Sequence, residues 1–142
     1  MMLSYLKIAG KNYPLSFSLG AQKAIAAKYG GMKILDAFTD DDVTVENIDM
    51  LVWMTELFIA QGCAYKNYFE KDMPIPDDSP VDKDGKWIPI SAEAIEIGIT
   101  NLEGLQDVVR AIAICIAASS NQEIETEPTE DAVKNIEAAQ SK

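Results

Sequence analysis

The first seventeen residues alternate apolar and polar positions in two short runs. The apolar positions, spaced two residues apart, are Leu6, Ile8, Tyr13, Leu15 and Phe17. This period predicts two β-strands that share one buried face. The intervening Ala9-Gly10-Lys11-Asn12 predicts a type II′ turn with Gly10 at its first central position, which would pair Leu6 with Leu15. Pro14 has no N–H group, so we expect its strand to pair on one side only.

After the hairpin, apolar residues recur at intervals of three and four, which predicts helices. We expect helices at about residues 18–29, 32–38, 45–62, 91–99 and 101–119. Ser18, Thr44 and Ser91 precede three of them as predicted N-caps, and Thr100-Asn101-Leu102-Glu103 has the spacing of a capping box. Three prolines between residues 74 and 80 interrupt the regular pattern.

These elements predict an α+β fold, with an N-terminal β-hairpin packed on a mainly α-helical bundle. We expect a single α+β domain over residues 1–119, because an isolated hairpin is barely stable in water and must pack on helices. Residues 120–142 are polar and acidic, which predicts an acidic tail that is flexible or weakly helical. The chain has 142 residues, of which 48% are hydrophobic. That composition is typical of one domain with an ordinary core.

The charge of the chain restricts its partners and its chemistry. There are 23 acidic and 12 basic residues, for a net charge of −11, and no histidine. Nucleic acids and anionic membranes are bound mainly through Lys and Arg, so we expect neither as a partner. The lack of histidine excludes Ser–His triads, His-ligated zinc and His acid–base catalysis. We therefore expect no enzyme, no catalytic residue, no metal and no cofactor.

The two cysteines and the apolar stretches indicate the compartment. Cys63 and Cys115 lie far apart in apolar segments without a CxxC motif, which predicts two buried free thiols in a reducing cytoplasm. The N-terminus lacks the apolar core of a signal peptide. The longest charge-free apolar stretch, Ala111 to Ala118, is too short to cross a bilayer. We expect a cytoplasmic protein.

One acidic segment partly resembles a calcium-binding loop. Asp82, Asp84 and Gly85 match the third, fifth and sixth places of an EF-hand loop. The first and twelfth places, however, would be Pro80 and Ser91, so two of the required carboxylates are missing. We interpret the segment as an Asp-Gly turn before a short extended piece.

The helix predicted at residues 45–62 is apolar on two sides. One stripe consists of Ile48, Leu51, Val52, Phe58 and Ile59 and is typical of a core face. A second patch consists of Met50, Trp53, Met54 and Leu57. Met adapts its shape and Trp dominates interface energetics, so we interpret this patch as a partner-binding surface. The alternative is ordinary core packing, and a Trp53→Glu variant that unfolds would favour that alternative.

The hairpin and the first helix together carry a family-like pattern. Residues 6–15 follow the pattern apolar-x-apolar-x-Gly-Lys-x-Tyr-x-Leu, and a helix ending at Lys28-Tyr29-Gly30-Gly31 comes next, followed by an apolar helical block. In these features the chain resembles the tail assembly chaperones of long-tailed bacteriophages and prophages. The resemblance spans about residues 5–62 and, more weakly, residues 100–119.

The resemblance implies a non-enzymatic protein that binds the phage tape-measure protein and keeps it soluble during tail assembly. It also implies the tail-tube protein as a further partner, and no catalytic residues to transfer. Two alternatives stay open: an acidic adaptor or inhibitor that binds one folded partner, and a small carboxylate- or metal-dependent enzyme. Self-association also stays open. The high net charge agrees with a chaperone, because like charge opposes indiscriminate association.

Overall fold

The computed structural model describes residues 3–34 and 45–126. The elements are β1 (Ser4–Ile8), β2 (Lys11–Leu15), α1 (Leu19–Tyr29), α2 (Val45–Phe69), α3 (Ala92–Gly98) and α4 (Leu102–Thr126). The α+β class is confirmed: the hairpin packs on α2 and α4, and α1 and α3 pack on α2. Most of the helix predicted at 32–38, and residues 127–142 of the predicted tail, lie outside the described residues.

The hairpin turn differs from the prediction. β1 pairs antiparallel with β2, with Leu6 opposite Tyr13 and Ile8 opposite Lys11. The loop is Ala9-Gly10, with φ of 50° and 87°, and two positive φ angles define a type I′ turn, so the predicted type II′ turn and its pairing are wrong. The sequence pattern misses this because Ala9 in a left-handed conformation costs about 1–2 kcal/mol. The pairing slips by two residues, so the predicted buried face is retained.

The outer edge of β2 lies along α2. Positions 5 and 14 form a non-hydrogen-bonded pair, so the missing N–H of Pro14 removes no bond to β1. On the outer side, the Ser16 N–H donates to the Phe58 carbonyl at 3.0 Å. Within the described residues β2 pairs with one strand only, as predicted from Pro14.

Gly62 sets the distance between α2 and β2. A Cβ atom at this position would lie 2.1 Å from the Pro14 carbonyl oxygen and 2.9 Å from the Leu15 nitrogen. Such distances are far inside van der Waals contact, and both of these neighbours belong to the backbone and cannot rotate away. Only glycine therefore allows the helix to lie against the strand this closely.

Two helices are longer than predicted. α2 continues past Gly62 to Phe69. At its end, Lys66 forms an ion pair with Glu70 at 2.9 Å, and oppositely charged residues four positions apart stabilise a helix. The backbone of α4 continues to Thr126, seven residues beyond the predicted end of this helix at residue 119.

The predicted helix starts are partly confirmed. Ser18 Oγ accepts from the Ala21 N–H and Ser91 Oγ from the Ala94 N–H, both at 3.1 Å, as N-caps do. The predicted capping box at residues 100–103 is wrong, because Asn101 Oδ1 caps α4 by accepting from the Gly104 N–H at 2.8 Å.

The core lies between the hairpin and the helices α1, α2, α3 and α4. Its most buried large members are Leu15, Ile25, Met54, Phe58, Ile59, Ile95 and Ile112. Phe58 occupies the middle of α2 and meets the Phe17 ring edge-on, with ring centroids 5.6 Å apart. Because α2 contacts the hairpin, α1, α3 and α4, it is the central element of the fold.

Candidate functional site

α2 places the four predicted partner-binding residues in two different environments. Met50 and Met54 are 7% and 0% exposed and belong to the core, whereas Trp53 and Leu57 are only partly buried at its edge. Successive residues of a helix are rotated by about 100°, so Trp53 lies about 60° from Met50 around the axis, on the side away from Met54. The structure therefore does not join the four residues in one exposed surface.

Trp53 and Leu57 line an open groove of about 430 Å³. α2 contributes Trp53, Glu56, Leu57 and Ala60, and the segment leading into α3 contributes Pro89, Ile90 and Ser91. The volume falls at the small end of the range of ligand pockets, about 300–1,000 Å³, and suits one or two side chains. The walls are mainly apolar, and one carboxylate lies among them.

Contacts with α1 hold the Trp53 side of the groove. The Trp53 ring meets the Tyr29 ring edge-on, with centroids 5.7 Å apart and an interplanar angle of 86°. The Lys28 ammonium group lies 5.0 Å from the centre of the Trp53 ring, a cation–π distance. These contacts fix the indole in position before any partner arrives.

Glu56 connects the two walls of the groove. Its Oε2 atom accepts a hydrogen bond from the Ala92 N–H, at the first residue of α3, at 3.1 Å. A carboxylate is favourable there because the first N–H groups of a helix lack partners within the helix. Among the described residues, no lysine or arginine forms an ion pair with Glu56.

A second set of contacts holds the segment that leads to Pro89. The Asn67 side chain accepts from the Trp87 N–H at 2.9 Å and donates to the Trp87 carbonyl at 3.1 Å. The Lys66 ammonium group lies 5.4 Å from the centre of the Tyr5 ring and 5.1 Å from that of Trp87. Desolvation acts to lower the pKa of Lys66, but hydrogen bonds with Tyr5 and Glu70 raise it on balance. The far wall of the groove is thereby tied to α2.

The acidic segment forms the predicted Asp-Gly turn. Asp82 Oδ1 accepts from the N–H groups of Asp84 and Lys86 at 2.9 and 3.0 Å, and Gly85 has a φ of 81°. In residues 3–34 and 45–126, no three His, Cys, Asp or Glu side chains come together in an arrangement that could hold a metal ion.

The two cysteines are free and buried, as the sequence predicted. Burial raises the pKa of Cys63 to about 12 and that of Cys115 to about 11, from an ordinary value of 9.0. Both thiols therefore stay protonated near neutral pH, and a protonated thiol is a poor nucleophile and a poor metal ligand.

Sequence reasoning missed most of the groove. The sequence carries no signal that marks Glu56, Ala60 or the segment from Pro89 to Ser91 as site residues. The two walls lie about thirty residues apart in the sequence, and no periodicity relates them. The tertiary contacts that bring them together carry no local signal.

Compared with protein-family models, curated proteins and solved structures, the chain matches none of them. None of the helices in the described part of the chain combines the length and the apolar character needed to cross a membrane.

Proposed function

We propose that this chain is a non-enzymatic binding protein that holds an apolar helical segment of another protein. Specifically, we propose a tail assembly chaperone that binds the phage tape-measure protein, with tail-tube subunits as further partners, in the bacterial cytoplasm. The observation that carries the proposal is the groove, where Trp53 and Leu57 stay partly exposed between α2 and the segment before α3. The family resemblance over residues 5–62 supports the more specific role.

The groove can supply useful binding energy from few residues. Burying one large apolar side chain contributes about 1.5–3 kcal/mol. Contacts with Tyr29 and with the N-terminus of α3 already order the groove walls, so little conformational entropy is lost when a partner binds. A partner helix that inserts one or two apolar side chains would therefore gain affinity at low cost.

The charge of the chain suits the same role. A long helix with apolar stripes aggregates unless those stripes are covered. A chaperone with a net charge of −11 covers the stripes and also makes the complexes repel one another. Apolar contact and electrostatic repulsion would act together to keep the partner in solution.

A matched pair of variants tests the groove as the docking surface. We expect Leu57→Gln to weaken binding to the tape-measure protein by about tenfold or more, because it removes one apolar contact. We expect Leu102→Gln, the same change at a side chain that is 61% exposed at the start of α4, to leave binding unchanged. The measurement is co-expression with the tape-measure protein encoded in the same gene cluster, followed by affinity measurement on the purified complex.

Thermal unfolding of both variants controls for a loss of fold. A tape-measure protein that stays insoluble both with and without this chain would contradict the proposed chaperone. Equal binding by wild type and Leu57→Gln would instead place the docking surface elsewhere.

A further inference from the structure

Among the described residues that line the groove, Glu56 alone carries a charge. Its neighbours there are apolar side chains and the small residues Ala60 and Ser91. A charge attracts its partner more strongly beside apolar walls than in open water, because the effective dielectric constant is lower. The groove therefore combines apolar contact with a single, well-placed negative charge.

The Glu56 carboxylate is held in place and still has capacity to bind. One oxygen accepts from the Ala92 N–H at 3.1 Å, which fixes the side chain between α2 and α3. An ionised carboxylate has about four acceptor sites, so one hydrogen bond leaves most of them free. Within residues 3–34 and 45–126, no basic residue neutralises Glu56.

We infer that the groove receives an arginine side chain from the apolar face of a partner helix, with the guanidinium group paired to Glu56. This inference rests on the proposed function for the site and adds the chemistry of the partner. The methylene groups of arginine pack on apolar surface, here Leu57 and Ile90, while the charged end reaches a carboxylate. The planar guanidinium also binds carboxylates through two hydrogen bonds and stacks on aromatic rings such as Trp53.

The charge of the whole chain favours a cationic occupant. The net charge of −11 would draw basic segments toward the chain during encounter. A purely aliphatic side chain would fill the groove but desolvate the Glu56 carboxylate without supplying a counter-charge, which is costly.

The test uses the full chain and three helical peptides that share one apolar stripe. The peptides carry arginine, lysine or citrulline at the centre of the stripe, and citrulline keeps the shape of arginine without its charge. By isothermal titration calorimetry at low salt, we expect the arginine peptide to bind about tenfold more tightly than the citrulline peptide. We expect the lysine peptide to fall between them, and the difference to shrink as salt is added.

Variants assign the selectivity to Glu56. Glu56→Gln keeps an oxygen that can accept from the Ala92 N–H, so the fold should be retained, but the preference for arginine over citrulline should vanish. Glu103→Gln removes the same charge at an exposed residue in the first turn of α4 and should keep that preference. If Glu56→Gln does not fold, the peptide comparison and its salt dependence on wild type still decide the inference.

Two outcomes would overturn the inference that the groove receives an arginine side chain. Equal affinity for the arginine and citrulline peptides would show a groove indifferent to charge, and would leave the proposed apolar docking intact. Binding of none of the peptides would also overturn it, while co-expression with the tape-measure protein would decide the proposed function separately.

Discussion

Gly62→Ala is expected to lower the free energy of unfolding by about 3 kcal/mol or more, since overpacking against backbone cannot be relieved by rotamer changes. The new methyl group would lie 2.1 Å from the Pro14 carbonyl oxygen and 2.5 Å from its carbon. Relief requires α2 and β2 to separate, and separation would weaken the hydrogen bond from the Ser16 N–H to the Phe58 carbonyl. Denaturant unfolding followed by circular dichroism measures the loss.

Gly20→Ala is the matched control. Gly20 also lies in a helix, but the three atoms nearest to a Cβ atom there belong to the end of the Gln61 side chain, which can move away by giving up its hydrogen bond with Ser18. The higher helix propensity of alanine offsets that loss, so the stability of this variant should stay within about 1 kcal/mol of wild type. Equal destabilisation of the two variants would contradict the close approach of α2 and β2 at Gly62.

Met54→Ala is expected to cost about 2–5 kcal/mol in stability, the range for large-to-small changes in a core. Met54 is 0% exposed, and removing its side chain would leave a cavity beside Phe58 and its neighbours. The folded fraction of this variant should still bind the partner, because Met54 does not line the groove. Denaturant unfolding and partner affinity, measured on the same preparation, separate the two effects.

Met73→Ala makes the same change at a side chain that is 55% exposed, and it should alter stability by no more than about 0.5 kcal/mol. If Met54→Ala instead kept full stability and weakened partner binding, Met54 would belong to an exposed surface together with Met50, as the sequence pattern alone suggested.

The hairpin shows what alternation can and cannot predict. The period of two places Leu6 and Ile8 on the buried face whichever turn forms, so that face is predictable from the sequence. The register of the two strands is not predictable in this way, because it depends on a positive φ at Ala9, and a residue with a Cβ atom disfavours that conformation. Only the packing of the whole hairpin decides between the two turns.

Helix ends were predictable where a side chain acts locally. Ser18 and Ser91 cap their helices through hydrogen bonds three residues away, which the sequence displays directly. The prediction ended this helix at residue 62, whereas in the structure Gly62 lies inside α2 and allows contact with a strand almost fifty residues earlier. A tertiary requirement of this kind has no local sequence signature.

The sequence predicts only part of the candidate site, because the rest depends on tertiary packing. Helical periodicity identifies the apolar positions of α2, but it does not say which of two adjacent faces the rest of the fold covers. Core packing buries Met50 and Met54, while Trp53 and Leu57 remain at the groove. Glu56 acquires its position only when the N-terminus of α3 packs beside it.

The most direct test of the central claim, that the groove is the docking surface, is fluorine NMR of the chain labelled with fluorotryptophan. The chain has two tryptophans: Trp53 lines the groove, whereas Trp87 is 5% exposed in the core. When the proposed partner, an unlabelled tape-measure protein, is added and binds, the Trp53 resonance should shift and lose its sensitivity to solvent, while the Trp87 resonance stays in place. A stable complex in which the Trp53 resonance does not move would contradict the account.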